Sequence, residues 1–125
     1  MTLQQFAERY RLRIKKDDCK DEIIPGKLIR GCGERLSDGH HIYPLMSGVF
    51  AVYLNFPTKK RFNGACRLLC AAGAAPAVVA DYDGIFTFDP ENETLVKLVL
   101  KVTRCRVRRQ LTEEQNQTIR QRFKR

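Results

Sequence analysis

Basic side chains collect at the C-terminal end of this 125-residue sequence. Residues 97–125 contain ten basic and two acidic residues, which is a net charge of +8 out of +9 for the whole chain. Guanidinium groups match the geometry of phosphate oxygens, and each phosphate that a cation neutralises releases counterions. The charge distribution therefore predicts contact with a polyanion, and the candidate phosphate-binding residues in this region are Lys101, Arg104, Arg106, Arg108, Arg109, Arg120 and Arg122.

The spacing of these cations favours a helical arrangement. Lys101, Arg104 and Arg108 lie three and four residues apart, so a continuous helix would place them on one face. Aromatic residues that could stack on bases are rare in this segment, where Phe123 is the exception. The alternative interpretation is a solvated cationic surface that keeps the protein soluble.

A second group of cations lies near the N-terminus. Arg11 and Arg13 alternate with Tyr10, Leu12 and Ile14, which is the two-residue period of a half-buried strand. Arg11 and Arg13 would extend the phosphate-binding surface if this strand lay beside the last helices. We favour the alternative that they mark an edge strand whose charges prevent aggregation.

Cysteine and histidine residues suggest a metal site, but their spacing does not support one. Cys66 and Cys70 are four residues apart, and His40 and His41 follow Cys32. A structural zinc site usually has two closely spaced ligand pairs, and here the cysteines supply a single pair. We therefore expect no metal and no other cofactor.

A catalytic site is also not predicted. Cys32 could pair with His40 or His41 as a nucleophile and its base, yet nothing in its sequence neighbourhood indicates an activated thiolate. The carboxylates at 17–22 and 81–89 alternate with lysines or have turn and capping roles, and no phosphate-binding loop or hydrolase motif occurs. We expect a protein that is not an enzyme and has no small-molecule substrate.

Length and composition predict one globular domain. The sequence is 43% hydrophobic and 30% charged, it contains no apolar run of membrane-spanning length, and its first residues lack the order of a signal peptide. Five cysteines, an odd number without an export signal, argue against a disulfide framework. We expect a cytoplasmic protein without a membrane partner, in which residues 1–125 form a single domain with a basic helical region at 97–125.

Capping residues locate the helices. Thr2 and Gln5 have the spacing of a capping box for a helix over residues 2–9, and Thr58 and Gly73 bracket a second helix. The segment beginning at Asp89 predicts a third helix with this aspartate as its N-cap and a proline in its first turn. A last helix is expected from residue 112 onward.

Alternation of apolar residues locates the strands. The clearest case is 49–56, whereas Pro44 restricts the run that starts at Ile42 to an edge position. Segments 77–82 and 85–88 flank Asp83 and Gly84, which predict a two-residue hairpin turn. These elements predict an α+β fold: a small antiparallel or mixed sheet of four to five strands, with helices packed on it and a helical basic C-terminal end.

Two segments carry a resemblance. Residues 11–27 and the phrase from Phe88 to Asn92 resemble small uncharacterised proteins of bacterial viruses and mobile elements. The resemblance implies an accessory protein that acts on DNA transactions or on a host defence complex. Together with the charge, it gives two hypotheses. The first is a nucleic-acid-binding accessory protein whose partner is DNA or RNA. The second is a small inhibitor or adaptor that binds an acidic face of a host nucleoprotein complex, such as a CRISPR or other defence nuclease.

Overall fold

The structure is a computed structural model that describes residues 1–105. Three α-helices, one 3-10 turn and six β-strands form this part of the chain, in the order α1 (Leu3–Tyr10), β1 (Lys15–Lys16), β2 (Glu22–Pro25), the 3-10 turn (Leu36–Asp38), β3 (His41–Met46), β4 (Val49–Asn55), α2 (Lys59–Ala71), β5 (Ala75–Val79), β6 (Asp83–Phe88) and α3 (Glu93–Thr103). Among these residues, no helix is long and apolar enough to cross a membrane. The helix predicted from residue 112 lies outside the described range.

Within residues 1–105, all six strands form one antiparallel sheet with the spatial order β1-β2-β3-β4-β6-β5. The α+β class and the antiparallel sheet are therefore confirmed, but the sheet has six strands and not four to five. The difference arises from β1 and β2, which have two and four residues. Strands this short show too few alternations to be recognised in the sequence.

The strand that the alternation at 49–56 predicted is confirmed as β4, and it lies inside the sheet with a neighbour on each side. Val52 pairs with Ile42 of β3 on one side and with Phe86 of β6 on the other. Phe50, Val52 and Leu54 are buried and point to the same face, because alternate residues of a strand share a face. This face forms the hydrophobic core.

The helices cover that face of the sheet. The ring centroid of Phe6 in α1 lies 5.1 Å from that of Phe50, and the ring centroid of Phe62 in α2 lies 6.5 Å from that of Phe86. Val99 of α3 is completely buried in the same cluster. One continuous core thus joins the three helices to the sheet.

The predicted caps of the first two helices are confirmed. The Thr2 hydroxyl accepts a hydrogen bond from the Gln5 amide at 3.1 Å, and the Gln5 side chain accepts one from the Thr2 amide at 2.9 Å. The Thr58 hydroxyl accepts a hydrogen bond from the Arg61 amide at the start of α2. Gly73 has a φ of +110°, the conformation that glycine supplies after a helix end.

The strand predicted around Tyr10 to Ile14 is wrong. Tyr10 is the last residue of α1, and Arg11 ends the helix in the left-handed conformation, with a φ of 56°. The Leu12 amide then donates a hydrogen bond to the Ala7 carbonyl at 2.8 Å, and the Leu12 side chain is buried. Leu12 is therefore the apolar contact that follows a helix end, and Arg11 and Arg13 do not stand in a row on a strand.

The hairpin of β5 and β6 exists, but its predicted turn is wrong. The chain reverses at Asp81 and Tyr82, where the Ala80 amide donates to the Asp83 carbonyl at 2.9 Å. Asp83 and Gly84 are the first residues of β6, and Gly84 does not take a positive φ. Gly84 is required instead by the close approach of the Val78 carbonyl oxygen, which leaves no room for a Cβ.

The start of α3 also differs from the prediction. Asn92 is the N-cap, and its side-chain oxygen accepts a hydrogen bond from the Leu95 amide at 3.2 Å. Asp89 instead accepts a hydrogen bond from the Glu91 amide at 2.9 Å, which closes the turn before the helix. Pro90 therefore precedes the helix and does not occupy its first position.

Pro44 lies in a strand that has neighbours on both sides, so the predicted edge position is wrong for β3 as a whole. The pairing between β2 and β3 is limited to His41 and Ile42 on β3. Pro44 lies beyond this pairing and is matched with Phe50 of β4 alone. The missing amide of proline is tolerated because that part of β3 has no described neighbour on the β2 side.

Candidate nucleic-acid interface

Three cationic residues from separate parts of the chain lie near His40. Lys27 follows β2, Arg61 lies in the first turn of α2, and Arg104 ends α3. All three are exposed, and each is close enough for its charge to lower the pKa of His40. We refer to Lys27, Arg61 and Arg104 as the basic cluster.

Backbone hydrogen bonds fix the position of this cluster. The Lys27 amide donates to the Thr103 carbonyl at 2.8 Å and so joins the segment after β2 to the end of α3. The Gly26 amide donates to the His40 carbonyl, and the His40 amide donates to the Lys27 carbonyl. Hydrogen bonds therefore join the backbone segments that carry Lys27 and Arg104. This limits the conformational entropy that the backbone of these two residues loses when a ligand binds.

His40 is a buried, neutral residue beneath the cluster. It is 2% exposed, and its Nδ1 atom accepts a hydrogen bond from the Asn55 amide at 3.2 Å. Burial lowers its pKa to about 4, and the charges of Arg61, His41, Arg104 and Lys27 act in the same direction. Above this pH the ring is uncharged, so the positive charge of this surface comes from the lysine and arginine side chains.

The first turn of α2 has an unusual charge distribution. Lys59, Lys60 and Arg61 follow the N-cap Thr58, and the turn contains no acidic residue. Cations at this position are unfavourable for the isolated helix, because the N-terminal end of the helix dipole is also positive. Lys59 is partly compensated by Asp81 at 3.7 Å. The same arrangement attracts an anion, since helix amides and cationic side chains then act together.

Arg61 contacts an aromatic ring that is not available for stacking with a ligand. Its guanidinium lies 5.7 Å from the centroid of the Phe56 ring, and the His40 ring lies 4.7 Å from the same centroid. Phe56 itself is buried. The surface thus offers cations rather than exposed rings, which suits phosphate groups better than bases.

The structure describes four of the predicted site residues, namely Lys101, Arg104, Arg11 and Arg13. Lys101 is exposed in the last turn of α3, and Arg104 has a φ of 54°. The α3 helix ends at Arg104, because a left-handed residue ends an α-helix, so Lys101 and Arg104 do not continue as one helix. Arg11 and Arg13 are exposed between α1 and β1. The remaining predicted residues lie outside the described range: Arg106, Arg108, Arg109, Arg120 and Arg122.

Lys27 and Arg61 were missed in the sequence. No local pattern connects either residue with Arg104, which they approach through the packing of the segments around β2, α2 and α3. The sequence contained one indication, the three cations that directly follow the N-cap Thr58.

The candidate metal-binding residues do not converge in the described part of the chain. Within residues 1–105, no three His, Cys, Asp or Glu side chains lie close enough to hold a metal ion. Cys66 is half-buried, which raises the pKa of its thiol, whereas Cys70 is exposed. Cys32 and His40 are both held by Asn55, which donates its side-chain amide to the Cys32 carbonyl at 3.0 Å. The arrangement of these two residues is explained by their structural contacts.

Acidic side chains gather around His41 and not around the basic cluster. Asp17, Asp21 and Glu22 line a groove of about 450 Å³ together with His41 and Tyr43, among others. Burial lowers the pKa of His41, while its hydrogen bond to a carbonyl and the nearby Asp17 partly oppose this. Its acidic lining makes this groove a less suitable site for a polyanion than the basic cluster.

No protein-family model matches the sequence, and a search of curated proteins finds no match.

Proposed function

We propose that this chain is a nucleic-acid-binding accessory protein that contacts backbone phosphates through the basic cluster and the basic residues that follow it. The observation that supports the proposal is the position of Lys27, Arg61 and Arg104 near the buried His40: the Lys27 amide is bonded to the Thr103 carbonyl, and Arg61 and His40 both lie against the Phe56 ring. Folding brings these three like charges together, which costs free energy unless an anion compensates them. A phosphate backbone is an anion of suitable shape and charge.

The charge of the C-terminal sequence supports the same proposal. Arg104 is the first arginine of the segment in which residues 97–125 have a net charge of +8. α3 places Arg104 in the basic cluster, because the carbonyl of Thr103 accepts a hydrogen bond from the amide of Lys27. The described residues therefore end beside the cluster, and we propose that the cations that follow in the sequence contact the same polyanion.

The proposed contacts do not discriminate between sequences. Phosphate contacts position a protein on nucleic acid but carry no base information. Because Phe56 is buried beneath Arg61, the cluster presents no stacking surface. We therefore expect similar affinity for different sequences and a strong dependence on salt.

The test compares two triple variants that remove the same charge. In the first, Lys27, Arg61 and Arg104 are replaced by alanine. In the matched control, three exposed cations outside the cluster are replaced: Lys15, Lys16 and Arg67. Binding to a fluorescent duplex and to a single strand is measured by anisotropy over a salt series from about 50 to 200 mM.

The cluster variant should bind more weakly than the control, and the slope of log K against log salt should flatten by about 0.9 for each duplex phosphate that the variant no longer neutralises. Equal weakening in both variants would show that net charge rather than the cluster determines binding. If the wild-type protein binds neither DNA nor RNA at low salt, the proposal fails. The inhibitor hypothesis, in which the cations face an acidic surface of a protein complex, then replaces it.

A further inference from the structure

The two histidines of the chain are neighbours that use their Nδ1 atoms in opposite ways. The Nδ1 atom of His40 accepts a hydrogen bond from the Asn55 amide at 3.2 Å. Because a backbone amide can only donate, this Nδ1 carries no proton, and the neutral ring holds its proton on Nε2. The Nδ1 atom of His41 lies 2.9 Å from the Gly39 carbonyl oxygen, which can only accept, so the His41 proton is on Nδ1. Adjacent residues therefore have different tautomers.

The Nε2–H group of His40 is a hydrogen-bond donor without a partner in the described part of the chain. His40 is 2% exposed, and among residues 1–105 its side chain makes one hydrogen bond, the one on Nδ1. In the same range the Tyr10 hydroxyl is the one fully enclosed side-chain polar atom that lacks a partner. Residues 1–105 therefore do not enclose Nε2, and an almost completely buried ring keeps one donor available at the surface.

This donor lies in the region of the basic cluster. The two nitrogen atoms of an imidazole ring point in diverging directions, so Nε2 is directed away from Asn55 and the strand β4. The His40 ring lies 4.7 Å from the centroid of the Phe56 ring, and the Arg61 guanidinium lies 5.7 Å from the same centroid. The His40 amide donates to the Lys27 carbonyl at 3.1 Å. A neutral donor and cations of the cluster thus meet around one buried side chain.

A phosphate group complements this combination of a neutral donor and cations. It carries negative charge on several oxygen atoms, and hydrogen bonds to an ionised acceptor are stronger than those between neutral groups. Lysine and arginine side chains supply the opposite charge. The His40 ring is held by burial and by its bond to Asn55, so it loses little conformational entropy when its donor binds a ligand.

We propose that His40 is a phosphate ligand of this site, and that its Nε2–H group donates a hydrogen bond to a phosphate oxygen bound at the basic cluster. The inference rests on the proposed function and adds to it a contact that carries no charge. The buried histidine then has a role in recognition as well as in the core. The alternative acceptor is water, in which case the donor does not respond to a phosphate ligand.

NMR of the ring nitrogens tests the proposal on 15N-labelled wild-type protein at neutral pH and low salt. Spectra are recorded for the protein alone, with a short duplex and, separately, with inorganic phosphate. The free protein should show the Nε2–H form for His40 and the Nδ1–H form for His41. Both additions should shift the Nε2–H signals of His40. The ring signals of His41, the internal control, should stay in place, because its proton is bonded to the Gly39 carbonyl.

Two substitutions at His40 separate the donor from the space that the ring fills. His40→Gln keeps an N–H donor on a side chain of similar length, whereas His40→Met has no donor. Circular dichroism checks that each variant is folded, and anisotropy gives the affinity for the duplex. His40→Met should bind about tenfold or more weaker than the wild type, because a hydrogen bond to a charged group is lost, and His40→Gln should recover part of the affinity.

Failure of this inference differs from failure of the proposed function. If the duplex binds without moving the His40 signals, if His40 carries its proton on Nδ1, or if folded His40→Gln and His40→Met bind equally, the role of His40 is overturned and the proposed function stands. If neither variant folds, the wild-type ring signals decide. If the duplex does not bind but inorganic phosphate shifts the His40 signals, the phosphate site stands and the proposed function fails. No response to either ligand overturns both.

Discussion

The imidazole of His40 accepts a hydrogen bond on Nδ1 from the backbone amide of Asn55, at a distance of 3.2 Å. This contact requires an unprotonated Nδ1, so it agrees with the depressed pKa of the ring. Asn55 is the last residue of the central strand β4, and the ring contacts Phe56. Protonation of His40 therefore disturbs the core and the basic cluster together.

We expect acid to destabilise the fold through His40. The pKa is about 4 in the folded state and 6.5 ordinarily, so the unfolded chain takes up the proton first as the pH falls. The stabilisation is complete above pH 6.5 and is lost progressively down to about pH 4. The loss is on the order of 3 kcal/mol for this single group.

Urea unfolding of the wild type and of His40→Gln at pH 4.5 and 7.5 tests this expectation. The wild type should lose more free energy of unfolding than the variant over this interval. His41 contributes in the same direction, because burial also lowers its pKa. Equal losses in the wild type and His40→Gln would contradict the assignment to His40.

The side chain of Asn55 should be important for the segment before β3. Its amide donates to the carbonyls of Cys32 at 3.0 Å and Asp38 at 3.1 Å, which joins that irregular segment to the sheet. Asn55→Ala should lower the free energy of unfolding by about 1–3 kcal/mol, because the two carbonyls lose their partner. The exposed Asn63 on α2 is the control, and Asn63→Ala should change stability little. Chemical denaturation gives both values, and equal effects would contradict the role of Asn55.

Two glycines should respond to alanine with opposite sign. At Gly84 an added Cβ would lie 2.6 Å from the Val78 carbonyl oxygen and 3.0 Å from the Phe62 ring, so Gly84→Ala should destabilise by about 1–3 kcal/mol. At Gly64, inside α2, no atom beyond the neighbouring residues and the backbone of the helix itself lies within 4 Å of the added Cβ. Gly64→Ala should stabilise by up to about 1 kcal/mol through helix propensity. Thermal unfolding of both variants tests the pair, and destabilisation by Gly64→Ala would show that the helix surface there is not free.

The fold was predictable where one local interaction determines the structure. The capping pair of Thr2 and Gln5 and the long alternation of β4 each act within a few residues of sequence. The prediction failed where two different local structures produce the same sequence pattern. Alternation from Tyr10 to Ile14 indicates a strand, but it arises because Arg11 ends a helix and Leu12 then contacts the core.

The sequence predicted that the candidate site is basic, but it did not identify all of the residues that form it. The excess of cations after residue 97 is visible in the sequence, and Arg104 belongs to it. Lys27 and Arg61 join Arg104 through contacts between distant segments, which no local pattern encodes. Gly84 is a similar case. Asp83 and Gly84 together predicted a two-residue hairpin turn, whereas the glycine is required by the close approach of Val78 and Phe62.

Arg11 and Arg104 allow stability and binding to be separated. Each ends a helix in the left-handed conformation, with φ of 56° and 54°, and each is exposed. Glycine adopts this conformation without the penalty that other residues incur, although it also makes the unfolded chain more flexible. Arg11→Gly and Arg104→Gly should therefore leave the free energy of unfolding unchanged or raise it by up to about 1 kcal/mol.

Nucleic-acid binding should distinguish the two variants. Both remove one positive charge at equivalent backbone positions, but Arg104 belongs to the basic cluster, whereas Arg11 follows α1. Arg104→Gly should weaken duplex binding and reduce the salt slope by about 0.9, because one phosphate is no longer neutralised. Arg11→Gly should leave both quantities close to wild type. Equal weakening would extend the binding surface to Arg11, as the N-terminal cations suggested, and an unchanged Arg104→Gly would remove Arg104 from the proposed interface.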